Sequence, residues 1–172
     1  VTIGGTLSGL QAGTVTLSLN AGAQTKSLTA NGSFTFAAGL EVGDAYTVIV
    51  TSEPDYVDCT VTHGTGNATS NVTNITVTCE AIGNFLFPTT TSYSANLVDR
   101  TTVDAYCSAA KTASYTTLPC ANVRAFISFD AADEIRDMPT LYSVDTALPI
   151  LDAVDGLSVA DSWDDLLDGS DI

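Results

Sequence analysis

The chain has 172 residues and a formal charge of −15, from 5 Lys+Arg against 20 Asp+Glu. So few cations argue against nucleic acid, heparin-like polymers or anionic lipid as partners, because contacts to phosphate and sulfate need Lys and Arg. Hydrophobic residues make up 45 %, enough for a folded core, yet the apolar runs are only a few residues long and none suits membrane insertion.

Thr and Ser number 26 and 15. A β-branched, hydroxyl-rich chain with few Lys and Glu reads as an extracellular or cell-surface β protein after export. The sequence starts at Val1 without an initiator Met, as a processed or trimmed chain does, so the lack of a leader carries no information on export.

In chain order, short alternating segments come first. Thr2 to Leu7 opens the domain; Val15, Leu17 and Leu19 alternate with Thr16 and Ser18; an Asn31-Gly32 turn precedes Phe34 and Phe36; Tyr46, Val48 and Val50 alternate again. Val57, Cys59 and Val61, then Ile75, Val77 and Cys79, complete the series. Period two with Gly and Asn-Gly punctuation predicts a β-sandwich over residues 1–80. Asn31, Asn67 and Asn71 each open an Asn-x-Ser/Thr triplet and are the candidate glycosylation sites, with Asn74 a weaker fourth.

Residues 81–172 change character. The Ala-rich stretch 103–111 predicts a helix, with Asp99 or Thr102 near its start. Residues 123–129 (Val-Arg-Ala-Phe-Ile-Ser-Phe) predict a buried strand. Residues 161–169 predict a short helix capped by Asp161 or Ser162 and closed by Gly169, with Trp163, Leu166 and Leu167 on one face. A linker is expected at residues 80–84.

Four cysteines, Cys59, Cys79, Cys107 and Cys120, allow three pairings, and their spacing favours Cys59–Cys79 and Cys107–Cys120. The even number and wide spacing point to an oxidising compartment. With His63 the only histidine, neither a zinc site nor a His-dependent nucleophile has its parts. Carboxylates are the abundant reactive group. Asp161, Asp164, Asp165 and Asp168 are the candidate calcium ligands, since hard cations take clustered oxygens, with Asp152, Asp155 and Asp161 a second set. No other cofactor and no enzymatic activity are expected.

The run Asn31-Gly32-Ser33-Phe34-Thr35-Phe36, the opening Gly4-Gly5-Thr6-Leu7-Ser8-Gly9-Leu10 and the closing Asn74-Ile75-Thr76-Val77-Thr78-Cys79 resemble immunoglobulin-like repeats of bacterial surface proteins. That resemblance implies a spacer. Asp104-Ala105-Tyr106-Cys107, Arg124-Ala125-Phe126-Ile127-Ser128, Leu148-Pro149-Ile150 and the terminal Ser162-Trp163-Asp164-Asp165-Leu166-Leu167-Asp168-Gly169-Ser170 resemble the endostatin-like, C-type-lectin-like module. That family's module runs longer than these 90 or so residues, so an incomplete copy is expected. Its histidine zinc site and its clustered heparin-binding arginines have no counterpart here, and its first-helix cysteine pairs with a distant partner, for which Cys120 is the local substitute.

The expected fold is therefore mainly β: an immunoglobulin-like β-sandwich (1–80), then a small α+β endostatin-like, C-type-lectin-like domain (81–172). The expected function is non-enzymatic presentation of the second module for adhesion to a surface protein or glycan. The alternative is a structural subunit, a homo-oligomer that self-assembles into a filament through chain ends and strand edges held by a neighbour.

Overall fold

The computed structural model describes residues 1–37, 39–94 and 97–168. It is mainly β and divides into two compact units, Val1–Ala81 and Ile82–Ile172.

The first unit contains β1 (Ile3–Ser8), β2 (Val15–Leu19), β3 (Gln24–Leu28), β4 (Gly32–Thr35), β5 (Ala45–Ser52), β6 (Val57–Thr62), β7 (Thr65–Asn67) and β8 (Val72–Ala81). They form two four-stranded sheets, ordered β4-β1-β8-β6 and β3-β2-β5-β7. Apolar side chains of both sheets make one core, with Ile3, Leu17, Leu19, Val48, Ile75 and Val77 among its fully buried members. The alternation in β2 and β8 is what builds this core, because every second residue points to the same face.

Strand β1 pairs antiparallel with β4 and parallel with β8, where Gly5 faces Ile75 and Leu7 faces Val77. The approach is close enough that a Cβ on Gly5 would collide with the Ile75 carbonyl oxygen. Gly9, at φ +80°, meets the Cys79 carbonyl in the same way. These contacts explain the glycines of the opening segment. On the solvent side, Ser33, Thr6, Thr76 and Thr62 stand in register across all four strands, with Thr78 and Thr60 paired one step along. These hydroxyl pairs, flanked by the exposed Asp58–Glu80 pair, use β-branched residues that suit a pleated surface.

Two strands escaped the sequence reading. Edge strand β3 has no fully buried residue, and β7 is three exposed residues long. His63 is exposed at φ 56°, and its carbonyl accepts the Tyr46 hydroxyl at 3.3 Å.

Cys59 and Cys79 are directly opposite in the antiparallel β6–β8 pair and form a disulfide, with Cα atoms 4.0 Å apart. The bridge crosses two strands of one sheet. The Cys59 N–H donates to the Glu53 carboxylate at 2.9 Å, satisfying a backbone donor on edge strand β6.

The expected linker shrinks to two residues. Strand β8 runs to Ala81 and β9 (Asn84–Leu86) starts the second unit. The second unit continues with α1 (Arg100–Ser114), a 3-10 turn at Ile135–Asp137, α2 (Met138–Tyr142), β10 (Ile150–Asp152), β11 (Ser158–Ala160) and α3 (Trp163–Asp168). Its sheet is ordered β11-β10-β9, with β9 parallel and β11 antiparallel to β10. Met138, Ile150, Ala160 and Trp163 form the core, joined by Leu86, Ile135, Tyr142, Val144 and Leu166.

Helix α1 is longer than expected and is capped by Asp99, whose Oδ1 accepts the Thr102 N–H at 2.7 Å. Aromatic pairs tie the preceding segment to it: Tyr93 stacks on Tyr106 at 3.8 Å, and Phe87 meets Tyr115 at 4.9 Å. In α3, Trp163 is buried and Leu166 packs beside it, but Leu167 is exposed, so the expected three-residue face is a two-residue one. Ser162 caps this helix, with its Oγ accepting the Asp165 N–H at 3.2 Å. The expected stop at Gly169 lies outside the described residues.

Candidate binding site

Residues 123–129 do not form the strand their composition predicts. Side chains of α1 take the backbone groups of Ala125 and the Ile127 carbonyl, while the Ile127 and Phe129 N–H groups donate to the Ala125 and Asp133 carbonyls. Asp104 Oδ1 accepts the Ala125 N–H at 2.8 Å. Arg100 Nη1 donates to the Ala125 carbonyl at 2.8 Å, and Nη2 donates to the Ile127 carbonyl at 2.9 Å. A buried backbone must place its donors and acceptors somewhere, and one helix turn supplies both kinds here.

Arg100 also grips Asp133 with a two-point fork, Nε to Oδ2 at 2.7 Å and Nη2 to Oδ1 at 2.8 Å. Planar guanidinium and carboxylate match in this arrangement. The Arg100 hydrogen bond holds the Asp133 carboxyl below the usual carboxylate range. The same bond raises Arg100 above its own ordinary value. Asp104 is 5 % exposed and accepts a second cation, Arg124 Nη1, at 3.0 Å.

Tyr142, at the end of α2, completes the group. The Arg124 guanidinium carbon lies 4.8 Å from its ring centre and that of Arg100 lies 5.5 Å away, both at cation–π range. Desolvation first, and then a hydrogen bond with Asp133, push the Tyr142 phenol up. Beside these groups is a surface cavity of about 530 Å³, lined by the Arg100–Asp104 pair, Thr101, Ala105 and Ser108 of α1, by Val123 and Arg124, and by Tyr142.

The sequence-predicted sites fare differently. Asp165 Oδ2 accepts the Asp161 N–H at 2.9 Å, while Asp164 and Asp168 are exposed. Asp152 and Asp155 accept the backbone N–H groups of Val154 and Leu157. Among the described residues no three His, Cys, Asp or Glu side chains gather as a metal site. Of the calcium candidates Asp161, Asp164, Asp165 and Asp168, the carboxylate of Asp165 is engaged at the start of α3.

The expected Cys107–Cys120 bridge is corrected. Both are free, half-buried thiols. Cys107 lies within α1, in the field of Asp104 and Arg100, whereas Cys120 follows the helix and lies in the field of Lys111. Desolvation raises both thiols above their ordinary value.

Among the glycosylation candidates, the exposed Asn31 has its amide engaged. Its Oδ1 accepts the Leu10 N–H at 2.9 Å and its Nδ2 donates to the Leu10 carbonyl at 3.0 Å, so the amide staples a loop. Asn71 Oδ1 accepts the Thr2 N–H at 2.9 Å. Asn67 is exposed on edge strand β7.

No family model, curated protein or solved structure matches the chain. Sequence reasoning missed Arg100, Arg124, Asp133 and Tyr142 as a group. The available signal was scarcity: with only five Lys+Arg in the chain, two arginines in one constellation, one of them four residues before an aspartate, form a recognisable pattern.

Proposed function

We propose that the protein is a non-enzymatic extracellular or cell-surface protein in which an immunoglobulin-like sandwich acts as a spacer for an endostatin-like, C-type-lectin-like binding unit. The observation that carries this reading is the way Arg100 and Asp104 fix the non-strand segment around Ala125 at the rim of a cavity. Binding modules present irregular chain on a rigid frame in this manner. The Cys59–Cys79 disulfide and the hydroxyl-rich face of the first unit support an oxidising, extracellular setting.

The test is a glycan array of neutral and acidic sugars probed with the labelled full chain. Saturable retention on a defined subset supports the reading, and no retention on any sugar overturns it.

The second reading, a self-assembling filament subunit, is favoured by one observation. Val154, Leu157 and Val159 are 70 %, 66 % and 42 % exposed on and beside edge strand β11, where apolar side chains and an open strand edge invite pairing. Light scattering without reductant tests it. A mass near the 17.7 kDa of one chain overturns assembly, and a polymer supports it.

A further inference from the structure

We infer that the cavity beside α1 binds an acidic sugar, a uronic or sialic acid, whose carboxylate is received by Arg124. This inference rests on the binding-unit reading above and specifies its ligand.

The argument starts from how the two arginines differ. Arg100 is committed: its Nε, Nη1 and Nη2 atoms already serve Asp133 and the carbonyls of Ala125 and Ile127. Arg124 gives Nη1 to Asp104 and keeps 38 % of its side-chain surface open. Its guanidinium is positioned by Tyr142, 4.8 Å from the ring centre. A planar, positioned and partly exposed guanidinium suits a carboxylate, which it can meet through two parallel hydrogen bonds.

The carboxylates nearby do not fill that role. Both Asp104 oxygens are engaged, one by the Ala125 N–H and the other by Arg124. Asp133 faces Arg100 in the two-point fork. The four charges balance, so an incoming anion is not repelled within the site. Repulsion from the net charge of −15 is screened beyond about 8 Å at physiological salt.

The rest of the lining selects a sugar over a plain acid. Thr101 and Ser108 bring hydroxyls to the rim, and Ala105 and Val123 bring small apolar surface. Sugar hydroxyls and C–H groups match that mixture. The cavity, at about 530 Å³, falls in the usual range of roughly 300–1,000 Å³ for small-ligand sites.

The experiment titrates the 15N-labelled full chain with N-acetylneuraminic acid and D-glucuronic acid, with D-glucose and an N-acetylated tetrapeptide bearing a free C-terminal carboxylate as comparisons. Saturable amide shifts at Ala105, Ser108 and Arg124 with at least one acidic sugar, and none with glucose, are expected. Arg124→Gln weakens binding about tenfold or more, because a charge-assisted contact is lost. Arg124→Lys restores only part of it, since an ammonium lacks the fork. Ala105→Leu, an exposed helix position that should fold normally, blocks the cavity and abolishes the shifts.

No shift with either acid overturns the inference. So do equal shifts with glucose, tighter binding of the tetrapeptide, or binding unchanged in Ala105→Leu. Should the full chain bind neutral arrayed sugars while these titrations fail, the ligand class is wrong and the binding-unit reading stands. Should it bind no sugar at all, both fall.

Discussion

Arg100 and Asp104, one turn apart on α1, together hold both backbone groups of Ala125: the guanidinium takes the carbonyl and the carboxylate takes the N–H, each at 2.8 Å. An i, i+4 ion pair thus stands in for a neighbouring strand. Removing Arg100 takes the guanidinium donor from the Ile127 carbonyl, leaves the Ala125 carbonyl with only the Ile127 N–H at 3.0 Å, and breaks the two-point fork on Asp133. Arg100→Ala is expected to unfold the second unit at lower urea, read by the fluorescence of Trp163, the only tryptophan and a member of that unit's core. Arg100→Lys should recover only a minor part. Coincident urea curves for wild type and Arg100→Ala would show that the frame is dispensable.

The same frame responds to acid. The Asp133 carboxyl lies below its ordinary value because Arg100 hydrogen-bonds it. With the folded pKa depressed, the unfolded chain binds the proton first as pH falls. The stabilisation is complete above the unfolded value of about 3.9 and disappears as pH drops through the lower folded value. Trp163 fluorescence should therefore show an acid transition of the second unit that is flattened in Asp133→Asn. An identical acid limb in the variant would refute the assignment.

In the first unit, Cys59 and Cys79 close a loop with a sequence separation of 20. Replacing both by Ala should lower the stability of that unit by about 3 kcal/mol, chiefly through the unfolded chain. Circular dichroism of the β signal during denaturation measures this, and a change within error would contradict it.

Gly5 gives a sharper test of packing. A Cβ there has no room against the Ile75 carbonyl, so Gly5→Ala must push β1 away from β8. Overpacking of this kind costs about 1–3 kcal/mol. By contrast, a Cβ on Gly22 meets nothing, and although its φ of +95° strains any side chain, Gly22→Asn should be the milder change. Equal losses at the two positions would disprove the packing argument.

Cys107 and Cys120 make a chemical prediction. Both thiols are raised by desolvation, so less thiolate is present at neutral pH than in a free cysteine. Alkylation of the native chain should be slow, and two thiols per chain should react once the protein is unfolded in denaturant without reductant. An intact mass two hydrogen atoms lighter than that of the chain with the Cys59–Cys79 bridge alone, with no reactive thiol, would instead establish the second bridge.

Much of the first unit was legible because a two-sided sheet repeats its instruction every second residue. Val15, Leu17 and Leu19, or Ile75, Val77 and Cys79, declare both strand and inward face. The Cys59–Cys79 pairing followed from the same period. Strand β3 was not legible because an edge strand with the sequence Gln-Thr-Lys-Ser-Leu buries too little to show a pattern.

In the second unit, composition set the existence of α1 and α3, while partners set everything between them. Residues 123–129 have strand-like composition, but strand is a state of pairing, and Arg100 and Asp104 took the hydrogen bonds a neighbouring strand would have needed. The density of acids around α3 in the sequence does not by itself specify a metal site, for ligation depends on convergence in space, and among the described residues no three such side chains converge. By itself the sequence determined charge, periodicity and the elements that periodicity can specify. The tertiary structure decided which arginine is spent and which stays open, because that depends on groups 20 to 33 residues apart meeting at hydrogen-bond distance.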